Sequence, residues 1–291
     1  MDMCKIPQYP DMVDFSPEIR GEIEPVLQEL TDGISELTYS SLIIHKEKYN
    51  YRISKTSEGF YLLFREKNGQ KCFIPLNGIP ESTARDLLAK NYKMIFVSQD
   101  MKERYASFFT AQKLELAANR DDADYVYLRT DLVDLKGKQF HKKKNHLNAF
   151  LKNYEAKVSI MDTGNKADAD FVLEKWYGQN KNIESDYHTA KKAIKLFEEL
   201  NLFGIIVYVN DAPVGLALGE YFCNGTMFCT HFEKGLNDIN GIYQFLNWKL
   251  ACMLDENTVY INREQDLGDE GMRQAKMTYR PVKFIEKYCT I

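Results

Sequence analysis

The fold of the second half of this chain is decided by residues 260–281, YINREQDLGDEGMRQAKMTYRP. The stretch opens on the end of an apolar run, Thr258–Ile261, which predicts a short strand. Asp269 is a good helix N-cap with Glu270 in the first turn, and Gly268 before it supplies a free backbone dihedral. A strand that leads through a glycine turn to a helix N-terminus is a common way for α/β folds to build a site.

Charged residues of both signs follow this strand without a spacer. We predict that Arg263, Glu264, Asp266, Arg273 and Lys276 form one cluster that lines a cleft. The three basic residues would hold an anionic part of the donor or acceptor, and Glu264 or Asp266 would take a proton or orient the attacking group. The alternative interpretation is a set of salt bridges that fastens the last strand to the sheet.

A second unusual stretch is GKQFHKKKNHLNAF, residues 137–150. Its apolar residues recur at helical spacing, at Phe140, Leu147 and Phe150. The opposite side of that helix carries Lys138, Lys142, Lys144 and Asn145, with His141 and Asn148. Many charges of one sign in a chain of net charge −4 are consistent with an anion-binding helix. They are equally consistent with an ordinary solvated helix face, and both interpretations stay open.

These two stretches, the spacing between them and a hairpin at 204–222 resemble the phosphatidylglycerol lysyltransferase C-terminal-domain-like family. The resemblance spans most of the chain. It implies an α/β fold with mixed sheets, arranged as two GNAT-like acyltransferase domains in tandem. It also implies transfer of an acyl or aminoacyl group to an amine or hydroxyl, with an aminoacyl-tRNA donor and a phospholipid head group as acceptor.

The order of predicted elements agrees with that arrangement. Hairpins are predicted at 59–76, around Asn68-Gly69, and at 204–222, and the second is followed by a central strand at 226–232. We therefore expect an N-terminal domain at 1–135 and a C-terminal domain at 136–291 that carries the site.

Two further positions in the second half are candidates for chemistry. His231, on the predicted central strand, is a possible base, although a satisfied core histidine is the commoner outcome. Asn240 and Gly241 begin the helix after that strand, where free N–H groups could hold a cofactor phosphate. The loop there lacks the basic, glycine-rich pattern of acetyltransferases, so an ordinary capped helix is the alternative. The donor is then acyl-CoA or aminoacyl-tRNA, with no tightly bound cofactor.

Composition narrows the remaining choices. The six cysteines are scattered, no cysteine is evidently poised by a neighbouring histidine, and no histidines are spaced as ligands, so we predict free thiols and no metal. No apolar run approaches membrane-spanning length and the first residues do not read as a signal peptide, which predicts a cytoplasmic protein. The competing function is a non-catalytic GNAT-like module that binds an anionic head group, nucleotide or RNA. The sequence predicts no oligomeric state.

Overall fold

The computed structural model describes residues 6–180 and 186–291, which divide into two units. The first unit comprises the chain up to Asp124 together with Ile285–Ile291, and the second comprises Tyr125–Phe284. The expected boundary after residue 135 lies further along the chain. The expected and observed divisions differ because residues 125–135 belong to the second unit, and because Ile285–Ile291 belong to the first.

The described part of the first unit contains short strands and short helices. Its strands up to residue 124 are β1 (Val13–Asp14), β2 (Arg52–Lys55), β3 (Tyr61–Lys67), β4 (Gln70–Pro75), β5 (Lys93–Met94) and β6 (Leu116–Ala118). Its helices are α1 (Arg20–Glu29), α2 (Tyr39–Ile44), α3 (Lys46–Tyr49), α4 (Glu81–Ala89), α5 (Gln99–Arg104) and α6 (Ala106–Ala111).

The first unit is built on a mixed sheet of order β1-β2-β3-β4-β5. Strands β3 and β4 form the predicted antiparallel hairpin, whose turn residues Asn68 and Gly69 have φ of 52° and 77°. Two positive φ values in succession are what a tight two-residue hairpin needs, so this prediction is confirmed. Strands β4 and β5 are parallel, and helix α4 buries Ala84 and Leu87 in the core beside them.

A buried ion cluster holds the end of the chain in the first unit. Lys287 Nζ lies 2.7 Å from Asp124 Oδ1 and also pairs with Glu36. Ser35 donates to Asp124 from both its backbone N–H and its hydroxyl, at 2.9 and 3.0 Å. Lys287 and Asp124 are buried and Glu36 is 20% exposed, so the two buried charges depend on their partners.

The rest of the chain supplies the elements of the second unit and one more strand of the first. The strands are β7 (Asp124–Leu128), β8 (Ala156–Ile160), β9 (Phe203–Val209), β10 (Ala212–Phe222), β11 (Met227–Gly235), β12 (Tyr260–Asn262), β13 (Lys283–Ile285) and β14 (Tyr288–Thr290). The helices are α7 (Arg129–Asp134), α8 (His141–Asn153), α9 (Lys166–Gln179), α10 (Tyr187–Lys195), α11 (Ile242–Met253) and α12 (Glu270–Met277).

The second unit contains a seven-stranded mixed sheet of order β13-β7-β12-β11-β10-β9-β8. The predicted hairpin at 204–222 is present as β9 and β10, with positive φ at both turn residues, Asn210 and Asp211. Strands β11 and β12 are parallel, and their pairing ends at Cys229 and Asn262. Because β11 continues to Gly235 while β12 stops, the two strands are not paired beyond Cys229 and Asn262, and we call this break in their pairing the opening between β11 and β12.

Helices α8 and α11 cover one face of this sheet. Phe150 of α8 stacks on Phe245 of α11 with ring centroids 4.3 Å apart, and both belong to the core that includes Val207 and Phe228. On β9, residues that face this core (Ile205, Val207 and Val209) alternate with residues that do not, as expected of a strand in a layered α/β fold. The predicted α/β class with mixed sheets is therefore confirmed.

Candidate functional site

The opening between β11 and β12 begins next to a β-bulge. The pairing of β10 with β11 shifts between Leu218 and Gly219, which leaves His231 as the extra residue of β11. A Cβ on Gly219 would lie 1.9 Å from the carbonyl oxygen of Cys229, so only glycine fits here. The bulge re-aims the His231 side chain and takes its backbone out of the regular ladder.

Four side chains meet at the bulge, and we call them the His231 cluster: Glu220, Cys229, His231 and Glu264. His231 Nδ1 lies 2.7 Å from Glu264 Oε1, and Nε2 lies 2.9 Å from Glu220 Oε1. Cys229 Sγ is 3.6 Å from His231 Nδ1 and 3.8 Å from Glu264 Oε1. The His231 and Glu220 side chains are buried, whereas that of Glu264 is 30% exposed and connects the cluster to solvent.

The contacts of His231 favour the charged form of its imidazole. Burial acts to lower its pKa, but Cys229 and the hydrogen bonds to Glu220 and Glu264 outweigh burial and keep the pKa well above its usual value. An ionised carboxylate only accepts hydrogen bonds, so two of them on one imidazole favour a proton on each ring nitrogen. The arrangement is a carboxylate–imidazolium–carboxylate relay that ends at the exposed Glu264.

Surrounding contacts hold Glu264 in a strained backbone conformation. Its φ is 55°, in the left-handed region that favours glycine, and its N–H donates to Asn262 Oδ1 at 2.7 Å. Lys276 Nζ donates to the carbonyls of Arg263 and Gln265, each at 2.6 Å, and to that of Glu264 at 3.2 Å. Non-glycine residues with positive φ cost free energy and persist where surrounding contacts enforce them, often at functional sites.

A second set, the Arg263 cluster, lies among the aromatic and α11 residues of the core. Arg263 pairs with Glu233, whose other oxygen accepts a hydrogen bond from Asn247 Nδ2 at 2.6 Å. The guanidinium carbon stands 5.1 Å from the ring centroid of Tyr279. Nε and Nη1 of Arg263 are buried and have no hydrogen-bond partner among residues 6–180 and 186–291. Arg263 and Glu264 thus serve different clusters, and both follow the end of β12 at Asn262.

Asp266 and Arg273 form a separate contact, which we call the Asp266 lock. Arg273 donates to both carboxylate oxygens of Asp266, at 2.9 and 2.8 Å, and Tyr125 and the N–H of Gly268 also donate to it. Asp266 is fully buried. Its hydrogen bonds to Arg273 and Tyr125 overcome burial and hold its pKa well below the ordinary value for Asp. Four of the five residues predicted as one cluster are therefore distributed over three sets of contacts, and the fifth, Lys276, holds backbone carbonyls.

The predicted basic helix is present as α8 with the turn before it. Lys138, Lys142 and Lys144, which we call the basic face, are exposed, as is Asn145, and none of these lysines has an ion-pair partner in the described chain. Lys143 instead points inward and lies 4.2 Å from the ring centroid of Tyr279. Burial, with the charges of Arg263 and Lys142, lowers the pKa of Lys143 to about 8.

Helix α8 also packs on the start of α11, where the sequence predicted either a site for a cofactor phosphate or an ordinary capped helix. A Cβ on Gly241, whose φ is 85°, would lie 3.0 Å from the carbonyl of His146 and 3.1 Å from Phe150. The N–H of Asn240 donates to the hydroxyl of Tyr154 at 3.2 Å. This end of α11 is therefore occupied in part by the protein itself.

The structure adds functional candidates that the sequence reasoning missed, namely Glu220, Cys229, Glu233 and Lys143. The expectation that no cysteine is poised by a histidine was wrong for Cys229, because residues i and i+2 of a strand share a face. Lys143 could have been found, since it lies three residues after Phe140 and four before Leu147 on the apolar side of α8. Glu220 was harder to find from the sequence, where the only indication of a functional role is a lone carboxylate in an otherwise apolar strand.

In the described part of the chain, no helix combines the length and apolar character needed to cross a bilayer.

Fold and site together define a tandem GNAT-like protein with a charged cluster at the strand opening. The family described as "Phosphatidylglycerol lysyltransferase, C-terminal" matches residues 27–291, and the chain belongs to this family. The family and the fold are those of a GNAT-like transferase.

Solved structures agree with this assignment. A conserved protein of unknown function from Bacteroides thetaiotaomicron is 27% identical, with a TM-score of 0.87 over 96% of this chain and 98% of that one. L-PGS from Bacillus licheniformis is 12% identical, with a TM-score of 0.65 over 98% and 93% of the two chains. FemX is 8% identical, with a TM-score of 0.60 over 96% of each. The last two show the fold alone.

A curated relative, an uncharacterized protein of Mycoplasmoides gallisepticum, is 26% identical over 180 residues. The match covers 58% of this chain and 56% of that protein, so the chain spans about half the length of the relative it matches.

Proposed function

We propose that the second unit transfers an aminoacyl group from aminoacyl-tRNA to an amine or hydroxyl, at the opening between β11 and β12. The observation that carries this proposal is the His231 cluster, in which a partly exposed carboxylate is held at the opening by a buried imidazolium. A carboxylate positioned in that way can take the proton of an attacking group.

The step assigns a role to each atom of the cluster. The acceptor nitrogen or oxygen attacks the carbonyl carbon of the donor ester, while Glu264 takes the proton that the acceptor loses. Among the described residues, Glu264 Oε2 has no hydrogen-bond partner and is free for this purpose. The ester bond then breaks and the proton passes to the departing ribose hydroxyl. His231 and Glu220 orient the carboxylate throughout.

Positive charge near the opening suits an anionic donor. Arg263 and Lys143 lie on the α8 side of the opening, and the basic face continues outward along that helix. Lysines that meet a nucleic-acid backbone contribute affinity through counterion release. A family member with this surface is suited to hold the acceptor arm of a tRNA.

The packing of α8 on α11 argues against acyl-CoA as the donor. A pyrophosphate at the start of α11 would need backbone N–H groups there, and that of Asn240 already donates to Tyr154. An aminoacyl ester at the end of an RNA chain has no pyrophosphate that must bind to these N–H groups. The acceptor is a phospholipid head group or another amine or hydroxyl, and the reaction is placed in the cytoplasm, where charged tRNA is available.

A transfer assay tests the proposal. The purified protein is mixed with total tRNA charged with a ¹⁴C amino-acid mixture, or with ¹⁴C-acetyl-CoA, in the presence of phosphatidylglycerol vesicles or a mixture of small amines. We expect label to leave the tRNA for an acceptor and not to leave acetyl-CoA. Glu264→Gln should slow the transfer by about 10²-fold or more, the usual effect of removing a general base.

Glu270→Gln is the matched control, because Glu270 is exposed in the first turn of α12 and outside all three sets of contacts. Equal rates for Glu264→Gln and wild type would refute the assigned role. Transfer from acetyl-CoA alone would refute the choice of donor.

The second candidate function is a non-catalytic module that binds an anionic ligand. The basic face favours it, because its lysines are exposed and have no ion-pair partner among the residues that the structure describes. It predicts salt-sensitive binding of charged tRNA or anionic vesicles without transfer of label, and the same assay with a filter-binding readout separates the two functions.

A further inference from the structure

Three different metal-ligating side chains converge in the His231 cluster. Cys229 Sγ, His231 Nδ1 and Glu264 Oε1 all lie within 4.8 Å of one another. Cys229 and His231 share a face of β11, and Asn262 of β12 pairs with Cys229, which brings the turn at Glu264 to the same place. A thiolate, an imidazole and a carboxylate form a mixed donor set that suits Zn²⁺.

The distances are close to those of a tetrahedral site. Bonds of ~2.3 Å to sulfur and ~2.0–2.2 Å to nitrogen and oxygen place the ligand atoms ~3.4–3.6 Å apart. The observed separations are 3.6 Å for Cys229–His231, 3.8 Å for Cys229–Glu264 and 2.7 Å for His231–Glu264. Only the last must open, by ~0.7 Å, which is the change expected when a cation replaces the shared proton.

The surroundings also fit a metal centre. Histidine ligands usually donate their second N–H to a carboxylate, and Glu220 Oε1 stands 2.9 Å from Nε2 in that role. The 30% exposed side chain of Glu264 leaves a route from solvent. Three protein ligands leave a fourth position for water.

We propose that Cys229, His231 and Glu264 bind a Zn²⁺-class transition-metal ion, with Glu220 orienting the imidazole. The proposal departs from the sequence prediction of no metal. Binding releases the thiol proton of Cys229 and the proton between Nδ1 and Glu264. The ion would bind Glu264 Oε1 and draw charge from the carboxylate whose Oε2 takes the proton in the proposed transfer, so Zn²⁺ inhibits that transfer. The inhibition rests on the proposed function, whereas the binding does not.

Cobalt titration of the whole, chelator-treated protein tests the binding, because Co²⁺ takes Zn²⁺ sites and reports thiolate ligation by its charge-transfer absorption. We expect one Co²⁺ per chain, a thiolate-to-cobalt band, and displacement by Zn²⁺. Cys229→Ser should lose the band, and Glu220→Gln should keep the band with an affinity roughly 10–100-fold weaker. Cys252→Ser, which removes a half-buried thiol of α11 outside the cluster, should behave as wild type.

A wild-type protein without the band would overturn the proposal even if a variant failed to fold. So would a band that survives in Cys229→Ser or disappears in Cys252→Ser. Because the spectrum needs no substrate, failure of the transfer assay leaves this test intact. A site that binds Co²⁺ while Zn²⁺ leaves transfer unchanged would overturn the inhibition alone.

Discussion

Replacement of Arg273 by alanine separates a structural role for the Asp266 lock from the substrate-binding role that the sequence suggested. The substitution removes two charge-assisted hydrogen bonds from a carboxylate that is fully buried. Asp266 keeps its hydrogen bonds from Tyr125 and Gly268, so the buried carboxylate loses only part of its stabilising contacts.

The magnitude follows from burial. Removing one partner of a fully buried ion pair costs about 3–5 kcal/mol. The Arg273 side chain is 35% exposed, so water screens part of the interaction. We therefore expect a loss of about 2–3 kcal/mol in the free energy of unfolding. For a unit the size of Tyr125–Phe284 this lowers the melting temperature by about 4–12 °C.

Thermal and urea unfolding, followed by circular dichroism, measure the effect. Arg280→Ala is the control, because Arg280 is exposed in the same segment and a surface change there should stay within about 0.5 kcal/mol. A variant Arg273→Ala with an unchanged melting temperature and lost transfer would refute the structural role. It would restore Arg273 as a substrate-binding residue.

Three further predictions concern the bulge, the inward lysine and the basic face. Gly219→Ala should destabilise the protein by about 1–3 kcal/mol, because its Cβ would lie 1.9 Å from a carbonyl oxygen, and a urea midpoint equal to wild type would contradict this. The folded protein disfavours the charged form of Lys143, whose pKa of about 8 there is below the ordinary value for lysine. Stability should therefore rise with pH above about 8, as the native state loses this proton first. The rise should be smaller in Lys143→Met, and equal urea midpoint changes in both proteins would refute the assignment. Alanine at all three lysines of the basic face should weaken tRNA binding and flatten its salt dependence with little change in stability, whereas an unchanged salt slope would mark that face as merely solvated.

Much of the architecture could be predicted from local patterns. The Asn68-Gly69 turn, the hairpin at 204–222 and the helix that Asp269 caps all follow from residues close in sequence. Turn and cap preferences arise from the backbone conformations that a few residues adopt, so they need no knowledge of the rest of the chain.

The grouping of the charged residues could not be predicted in the same way. Arg263 and Glu264 are neighbours in sequence and belong to different clusters, while Glu220 and Glu264 are 44 positions apart and share one imidazole. The spacing allowed Arg273 and Lys276 to reach one point, yet one pairs with Asp266 and the other holds carbonyl groups. Each of these outcomes depends on which strand lies beside which.

The sequence by itself determined many of the elements, the two hairpins and the presence of a charged stretch after the last long helix, because periodicity and turn chemistry act over a few residues. The GNAT-like class came from the resemblance to a known family. Only the tertiary structure decided the site. The parallel pairing of β11 with β12 brings Glu264 to His231, the bulge opposite Gly219 turns that histidine toward Glu220, and helix α8 covers the start of α11. These contacts join residues distant in sequence, and their geometry is set by sheet register and packing, which no single stretch of the chain encodes.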